Sequence, residues 1–455
     1  MGSGKENGEA VFFVAREGAA LPLVEFDFNY LTLTLTLTFT EAFTFMTTAI
    51  LGTSMVTKIV FALGMLMVIG DFAATFFTIV YQRSIYRRRR AAYDASYAPP
   101  CSIVVPCKGI PKNFGDNLRS FLRFDYPDYE VVYVTESADD AAVPEIKKIV
   151  SEDPRAKFAV AGLSTQCAQK NHNMLAALRE ARPNSEVFVF ADSDIKPGPH
   201  WLREIVLPLQ NEKVSVTTGF RWLLPTKGSM GELCHAYVNI FIYTCFCTAS
   251  YIGGVGLWGG TMAVRRRDYE ELGVEKTWSR AAVDDMSLST LVLKNRRKAV
   301  VVAGCITTTD DLLPTVGATV SWFERQIMYL KSYQRVLWVF PALPMAALVG
   351  WIMLLLPYAL AAALLSKGAF LETFLKHGGA APLIFMLGHT AVALLYPALG
   401  KMPYFGRFLL FQPLLRTAQM LSYLKTWTTR TITWAGIKYK LDFRGDVREI
   451  DRGGG

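Results

Sequence analysis

The chain has 455 residues, 51% of them hydrophobic and only 19% charged, with a mean hydropathy of +0.24. Those values exclude a purely soluble protein, because part of so apolar a chain must face lipid. The net charge is +9, much of it gathered at Arg83 and Arg87-Arg88-Arg89-Arg90. No basic helix with interleaved aromatics accompanies the run, so it fits anionic headgroups or a topology determinant and not nucleic acid.

Residues 1–54 form an N-terminal extension without an assignable structure. Within it, Leu31–Thr40 alternates Leu or Phe with Thr, which fits a strand or an extended low-complexity linker. Residues 55–82 hold the first transmembrane helix, since Val56–Tyr81 is apolar for about 25 residues, enough to cross a bilayer core. Asp71 interrupts it and is expected to face a helix bundle, hydrogen-bonded to a neighbour. The arginine run follows at once, so residues 83–335 are expected in the cytosol.

From Pro100 to about Ile306 the pattern is that of an α/β domain. Ser102–Val105, Glu130–Thr135, Lys157–Val160 and Val187–Ala191 are short apolar runs that read as buried parallel strands. Gly115–Arg123, Pro144–Ser151 and Ala168–Ala181 read as helices between them. Alternation of this kind predicts a doubly wound, Rossmann-like, mostly parallel sheet that binds ligands at the carboxyl ends of its strands. Leu233–Tyr251, interrupted by Asn239 and followed by Gly253-Gly254, reads as an interfacial helix.

Residues 336–428 form a C-terminal membrane region with two or three spans. Val336–Leu365 and Pro382–Leu399 are apolar throughout, whereas Phe405–Leu424 carries Arg407 and Arg416 and either spans or lies flat. Residues 429–455 read as a basic cytosolic tail. Seven cysteines in irregular spacing, with no C-x-x-C, argue against a disulfide framework or a zinc site and fit a reducing compartment.

Three segments carry candidate chemistry. The strand Val187–Ala191 ends at Asp192-Ser193-Asp194, and two carboxylates at that position suit Mg²⁺ or Mn²⁺ bridging a diphosphate. An Asp-x-Asp alone also fits a solvated turn. Asp284 and Asp285 open an amphipathic run, where they can cap a helix; alternatively, Asp285 is a general base whose pKa is raised by apolar surroundings and a second acid. Between the two lies Gly253-Gly254-Val255-Gly256-Leu257-Trp258-Gly259-Gly260, which is either a tight turn or a close approach of backbone to ligand, with Trp258 stacking on a sugar.

In order along the chain, Pro106–Lys108, Asp139-Asp140, Lys170, Asp192-Ser193-Asp194, Asp284-Asp285 and Arg325-Gln326-Ile327-Met328-Tyr329 resemble the motifs of inverting glycosyltransferases of families 2 and 21, ceramide glucosyltransferase-like enzymes with a GT-A fold. The resemblance covers residues 100–335, with Phe124–Val131 and Ala168–Asn171 adding to it. It implies transfer of a sugar, with UDP-glucose as the expected donor, to a ceramide-like or other lipid hydroxyl in the bilayer. It further implies Pro106, Lys108, Asp139, Asp140, Lys170 and Asp192 at the nucleotide sugar, and Asp192 and Asp194 at an Mn²⁺ or Mg²⁺ ion. Asp285, with Asp284 beside it, would be the catalytic pair, and Trp258, Arg325, Gln326 and Tyr329 would meet the acceptor or diphosphate. The family's (Q/R)-x-x-R-W motif has Met328 and Tyr329 here in place of its Arg-Trp, leaving Arg325, Lys331 or Arg335 as substitutes for the missing guanidinium. A processive polysaccharide synthase and a non-catalytic membrane scaffold are the alternatives.

Overall fold

The computed structural model describes residues 55–252, 254–339, 354–366 and 368–453. The Leu31–Thr40 alternation and residues 340–353 of the Val336–Leu365 segment lie outside them.

Four β-branched and aromatic runs form the strands expected from the sequence: β1 (Cys101–Pro106), β2 (Tyr129–Thr135), β3 (Ala156–Val160) and β4 (Val187–Ala191). Three further strands, β5 (Val214–Leu223), β6 (Thr261–Arg265) and β7 (Lys298–Thr309), complete a seven-stranded sheet in the order β3-β2-β1-β4-β6-β5-β7. All neighbours pair in parallel except around β6, which runs antiparallel to both β4 and β5. Successive side chains enter opposite faces, so Ile103, Val131 and Val189 join one core while Val104, Val132 and Phe190 join the other. Helices α2 (Phe114–Ser120) and α3 (Val143–Glu152) cover the first face, and α4 (Gln169–Arg179) covers the second. This is the doubly wound, mostly parallel α/β sheet expected from the sequence.

Among the described residues, three helices are long and apolar enough to cross a membrane: Thr57–Ala91, Met230–Tyr251 and Ala380–Ala398. The first takes in most of α1 (Met55–Val80), the second is α6 (Met230–Tyr251), and α9 (Ala380–Ala393) supplies most of the third. The short helix α5 (Trp201–Val206) lies under β7. Helix α6 starts earlier than the apolar pattern indicates, because Ser229 and Glu232 close a capping box that fixes its first turn. Its polar interruption is also accounted for, since Asn239 donates from Nδ2 to the Arg221 carbonyl at 2.6 Å.

Helices α1 and α9 touch through a buried pair, His389 Nδ1 standing 3.0 Å from Asp71 Oδ2. Gly388 permits that approach, because a Cβ there would stand 3.0 Å from a Val68 methyl. The acid within the first apolar segment therefore faces the helix bundle, as expected. At the lower end of α1, Arg90 from the basic run grips Glu204 of α5 with Nε at 2.8 Å, and Tyr86 Oη lies 3.1 Å from the same carboxylate. One arginine of that run is thus a structural strut and not a free headgroup ligand.

Phe405–Leu424 is not one helix. It divides at Phe411 into Phe405–Leu410 and α10 (Gln412–Lys425), and neither piece is long enough to cross a bilayer core. Helices α7 (Asp284–Lys294) and α8 (Val316–Tyr333) complete the framework of the α/β domain.

The C-terminal segment departs from its reading as a tail. Strands β8 (Thr431–Trp434), β9 (Ile437–Leu441) and β10 (Val447–Asp451) form an antiparallel sheet. Ile432, Ile437, Tyr439 and Leu441 point inward onto Ala168, Val283, Met286 and Met328. Lysines alternate with these apolar residues on the solvent face, so the basic character that marked a tail belongs to one side of a sheet.

Candidate active site

A cavity of about 960 Å³ opens at the carboxyl ends of β1 and β4. The chain leaves β4 through Asp192-Ser193-Asp194, and α7 begins with Asp284-Asp285, so both acid clusters reach this cavity from different elements. Lys170, in the first turn of α4, joins them: its Nζ lies 2.8 Å from Asp192 Oδ1 and 3.1 Å from Asp284 Oδ2, and donates to the Gly259 carbonyl at 3.2 Å. Burial alone would lower its pKa, but the Asp192 and Asp284 carboxylates raise it above the ordinary lysine value.

Asp285 accepts the Gly259 N–H at 2.8 Å and the Met286 N–H at 2.6 Å. Burial and the neighbouring Asp284 charge nevertheless push its carboxyl up to about 7, with Lys170 and the two amides opposing. The glycine-rich segment is required sterically. A Cβ on Gly259 would stand 2.5 Å from Asp284 Oδ2, so no other residue fits between the acids and this turn.

Asp194 is held differently. Its Oδ2 accepts from Arg221 of β5 at 2.9 Å, while its Oδ1 is buried without a hydrogen-bond partner in another residue. Burial and Asp192 together raise the Asp194 pKa. Among the described residues, no three His, Cys, Asp or Glu side chains converge as a metal cage. The orphaned oxygen and the Asp-x-Asp pair fit a hard cation that takes one or two carboxylates and completes its shell with phosphate oxygens and water.

Pro106 and Lys108 line the same cavity, Lys108 being paired with Glu136 at 2.9 Å. Asp139 and Asp140 do not line it. Asp140 accepts the Gly109 and Ala142 N–H groups at 2.9 Å each and ties the loop after β1 to α3. Trp258, Arg325, Gln326 and Tyr329 all line the cavity. Arg221, which no motif announced, lies in it too, its guanidinium 5.8 Å from the Trp258 ring centre. A second omission from the sequence reading is the C-terminal sheet. Ile432, Trp434 and Tyr439 line the cavity, Tyr439 Oη accepts the Gln169 N–H at 3.2 Å, and Arg452 donates to Gln169 Oε1 at 2.9 Å.

The cavity continues away from the acids toward the apolar helices, where Ala74 of α1 and Ile242, Cys245 and Ala249 of α6 form its walls.

The family model described as glycosyl transferase family 21 matches residues 36–447, most of the chain. The chain belongs to glycosyl transferase family 21. Ceramide glucosyltransferase 1 of Caenorhabditis elegans is 23% identical over 260 residues, 56% of this chain and 54% of that protein. Ceramide glucosyltransferase 3 of the same organism is 31% identical over 105 residues, 23% of each chain. This family member therefore matches about half the length of the first relative and under a quarter of the second. A solved mannosyltransferase from Pyrobaculum calidifontis in complex with GDP-Man and Mn²⁺ is 17% identical, covering 81% of this chain and 97% of its own with a TM-score of 0.45. Glucosyl-3-phosphoglycerate synthase from Mycobacterium tuberculosis, solved with Mn²⁺, UDP-Glc and phosphoglyceric acid, is 15% identical over 52% of this chain and 81% of its own, with a TM-score of 0.35.

Proposed function

We propose that the protein transfers a hexosyl group from a nucleotide sugar, with UDP-glucose the leading donor, to a hydroxyl of a membrane lipid of ceramide-like type, inverting the anomeric centre. The observation that carries this reading is the single cavity whose one end holds Asp192, Asp194, Asp284 and Asp285 and whose other end is walled by apolar helices. A lipid cannot leave the bilayer cheaply, so a transferase acting on one must open its cleft to the hydrocarbon.

In this account the nucleotide lies against Pro106 and Lys108, and Lys170 contacts the donor. Asp192 and Asp194 hold an Mn²⁺ or Mg²⁺ ion, which when bound offsets charge on the diphosphate. Trp258, Gln326 and Tyr329 shape the region where donor sugar meets acceptor, and Arg325 adds positive charge beside them. Asp285 accepts the acceptor's hydroxyl proton while that oxygen bonds to the anomeric carbon. The bond from this carbon to the diphosphate oxygen breaks on the opposite side, its electron pair leaving with the nucleotide. One displacement with one base and no covalent intermediate inverts the centre. The α/β domain lies on the cytosolic face of a multi-pass membrane protein, consistent with the basic run after α1 and the seven free cysteines, six of them buried.

The test uses purified full-length protein in nanodiscs with Mn²⁺ or Mg²⁺, a panel including UDP-glucose and GDP-mannose, and ceramide, diacylglycerol, sterol and hopanoid acceptors. A glycosylated lipid formed by the wild type and abolished by Asp285→Asn is the expected result. Polymer without lipid product would instead establish a processive synthase, and absence of turnover with every pair would leave a scaffold.

A further inference from the structure

The position expected to supply an arginine is Met328, and it is buried in the apolar cluster with Ala168, Val283, Met286 and Ile432, out of the cavity. Two of the three nearby cations are engaged elsewhere. Lys331 donates to the Thr426 and Thr429 carbonyls at 2.5 and 2.7 Å, and Arg335 sits over Phe443 at 5.5 Å. Arg325 reaches the cavity wall, where it donates to the Thr433 carbonyl at 3.4 Å.

Arg221 comes from the opposite wall. Its backbone is fixed by β5 pairing and by Asn239, and its guanidinium is placed between Trp258 and Asp194. Only one of its nitrogens is used by Asp194, and its Nε is buried with no hydrogen-bond partner. The carboxylate it holds also keeps one buried oxygen unsatisfied. Lys170, by contrast, donates to the Gly259 carbonyl and stands between two carboxylates, 2.8 Å from Asp192 Oδ1 and 3.1 Å from Asp284 Oδ2. A half-satisfied pair of opposite charges at an Asp-x-Asp turn is matched by a second pair of opposite charges, a divalent cation and a diphosphate.

We infer that Arg221 is a diphosphate-binding residue that rests on Asp194 until a divalent cation displaces it. The inference rests on the metal-and-nucleotide reading above. The cation takes the Asp194 oxygens; the released guanidinium turns its paired N–H donors to two phosphate oxygens, a bidentate contact that a lysine cannot reproduce. No covalent bond changes in this exchange. Strand β5 thereby supplies the guanidinium that helix α8 lacks at position 328.

Two opposed effects follow, and neither needs the donor sugar to be known. With full-length protein in detergent, Mn²⁺ binding is measured by the paramagnetic resonance signal of the free ion, and inorganic pyrophosphate binding by calorimetry at saturating Mn²⁺. Arg221→Gln removes the cation's competitor for Asp194, so Mn²⁺ alone binds about tenfold more tightly, the scale of one nearby charge. The same variant binds pyrophosphate at least about tenfold more weakly, because a charge-assisted bidentate contact is gone. Arg221→Lys returns Mn²⁺ affinity toward wild type yet recovers pyrophosphate binding only in part. Unchanged affinities in Arg221→Gln, with normal binding by the wild type, overturn this inference and leave the proposed function standing. If Arg221→Gln does not fold, Arg221→Lys decides: pyrophosphate affinity equal to wild type overturns the inference. Wild-type protein that binds neither Mn²⁺ nor Mg²⁺ overturns the inference and the metal reading together.

Discussion

Replacing Asp285 with Asn should make the protein more stable and nearly inactive, and the stability gain should depend on pH in a defined way. The folded protein raises this carboxyl from 3.8 to about 7. Between those values the unfolded chain has lost the proton and the folded chain keeps it, so stability falls as pH rises through that window and levels off above it. The accumulated cost of an ionised Asp285 above pH 7 is about 4 kcal/mol. Asparagine is neutral at every pH, but its amide can accept from only one of the two N–H groups, Gly259 and Met286, that the carboxylate satisfies. The unmatched donor costs about 1–2 kcal/mol. The net gain is about 2–3 kcal/mol at pH 8 and about zero near pH 5, where ionisation of the unfolded chain has cost the wild type only about 1–2 kcal/mol. For a protein of this size that is a Tm higher by about 2–4 °C at pH 8. Tryptophan-fluorescence melts of both proteins in detergent from pH 4.5 to 8.5 measure it. A general base also contributes about 10²–10⁴-fold to turnover, so kcat should fall by that factor while nucleotide binding holds. A variant less stable than wild type at pH 8, or offset equally at every pH, would refute the assignment of a carboxylate whose pKa the fold raises.

Three further outcomes are expected. Lys170→Gln removes the ammonium that Asp192 and Asp284 share and that holds the Asp285 pKa down, so the acid limb of kcat/KM moves to higher pH and stability falls by about 3 kcal/mol, read from a pH–rate profile and melts. In Gly259→Ala the new Cβ meets Asp284 Oδ2 at 2.5 Å, and displacement of the acids should lower kcat about 10²-fold with little change in Tm. His389→Ala removes the imidazole that meets Asp71 between α1 and α9; melts should show a loss of about 3–5 kcal/mol while the kcat of folded protein stays at the wild-type level.

The parallel half of the fold is legible because β1, β2 and β4 are buried on both faces and so are written as mostly apolar runs. Strands β5 and β7 are harder to see, since threonines such as Thr217 and Thr218, or Thr307 to Thr309, blur their apolar signal. The acids at Asp192, Asp194, Asp284 and Asp285 stand out through their spacing and position at element ends, and they share one cavity. Arg221 does not stand out, because a single arginine in a strand has no local pattern, and only the sheet pairing brings it to Asp194. The C-terminal sheet was legible in principle: Ile437-Lys438-Tyr439-Lys440-Leu441 alternates with period two after Ala435-Gly436, both at positive φ in the connecting turn. Its lysines, counted without that alternation, give the segment the basic character of a tail. The Ser229–Glu232 capping box likewise marks the start of α6 more surely than hydropathy does.

The central claim is that acids from β4 and α7 gather one divalent ion and one nucleotide diphosphate at the membrane-facing cavity. A cryo-electron microscopy or crystallographic structure with Mn²⁺ and a nucleoside diphosphate bound tests it directly. The account predicts an ion about 2.0–2.2 Å from an Asp194 oxygen and bridged to the diphosphate, with Asp285 on the side open to the apolar helices. An ion held away from Asp192 and Asp194, or a nucleotide that places Asp285 behind the diphosphate and out of reach of any acceptor, would contradict it.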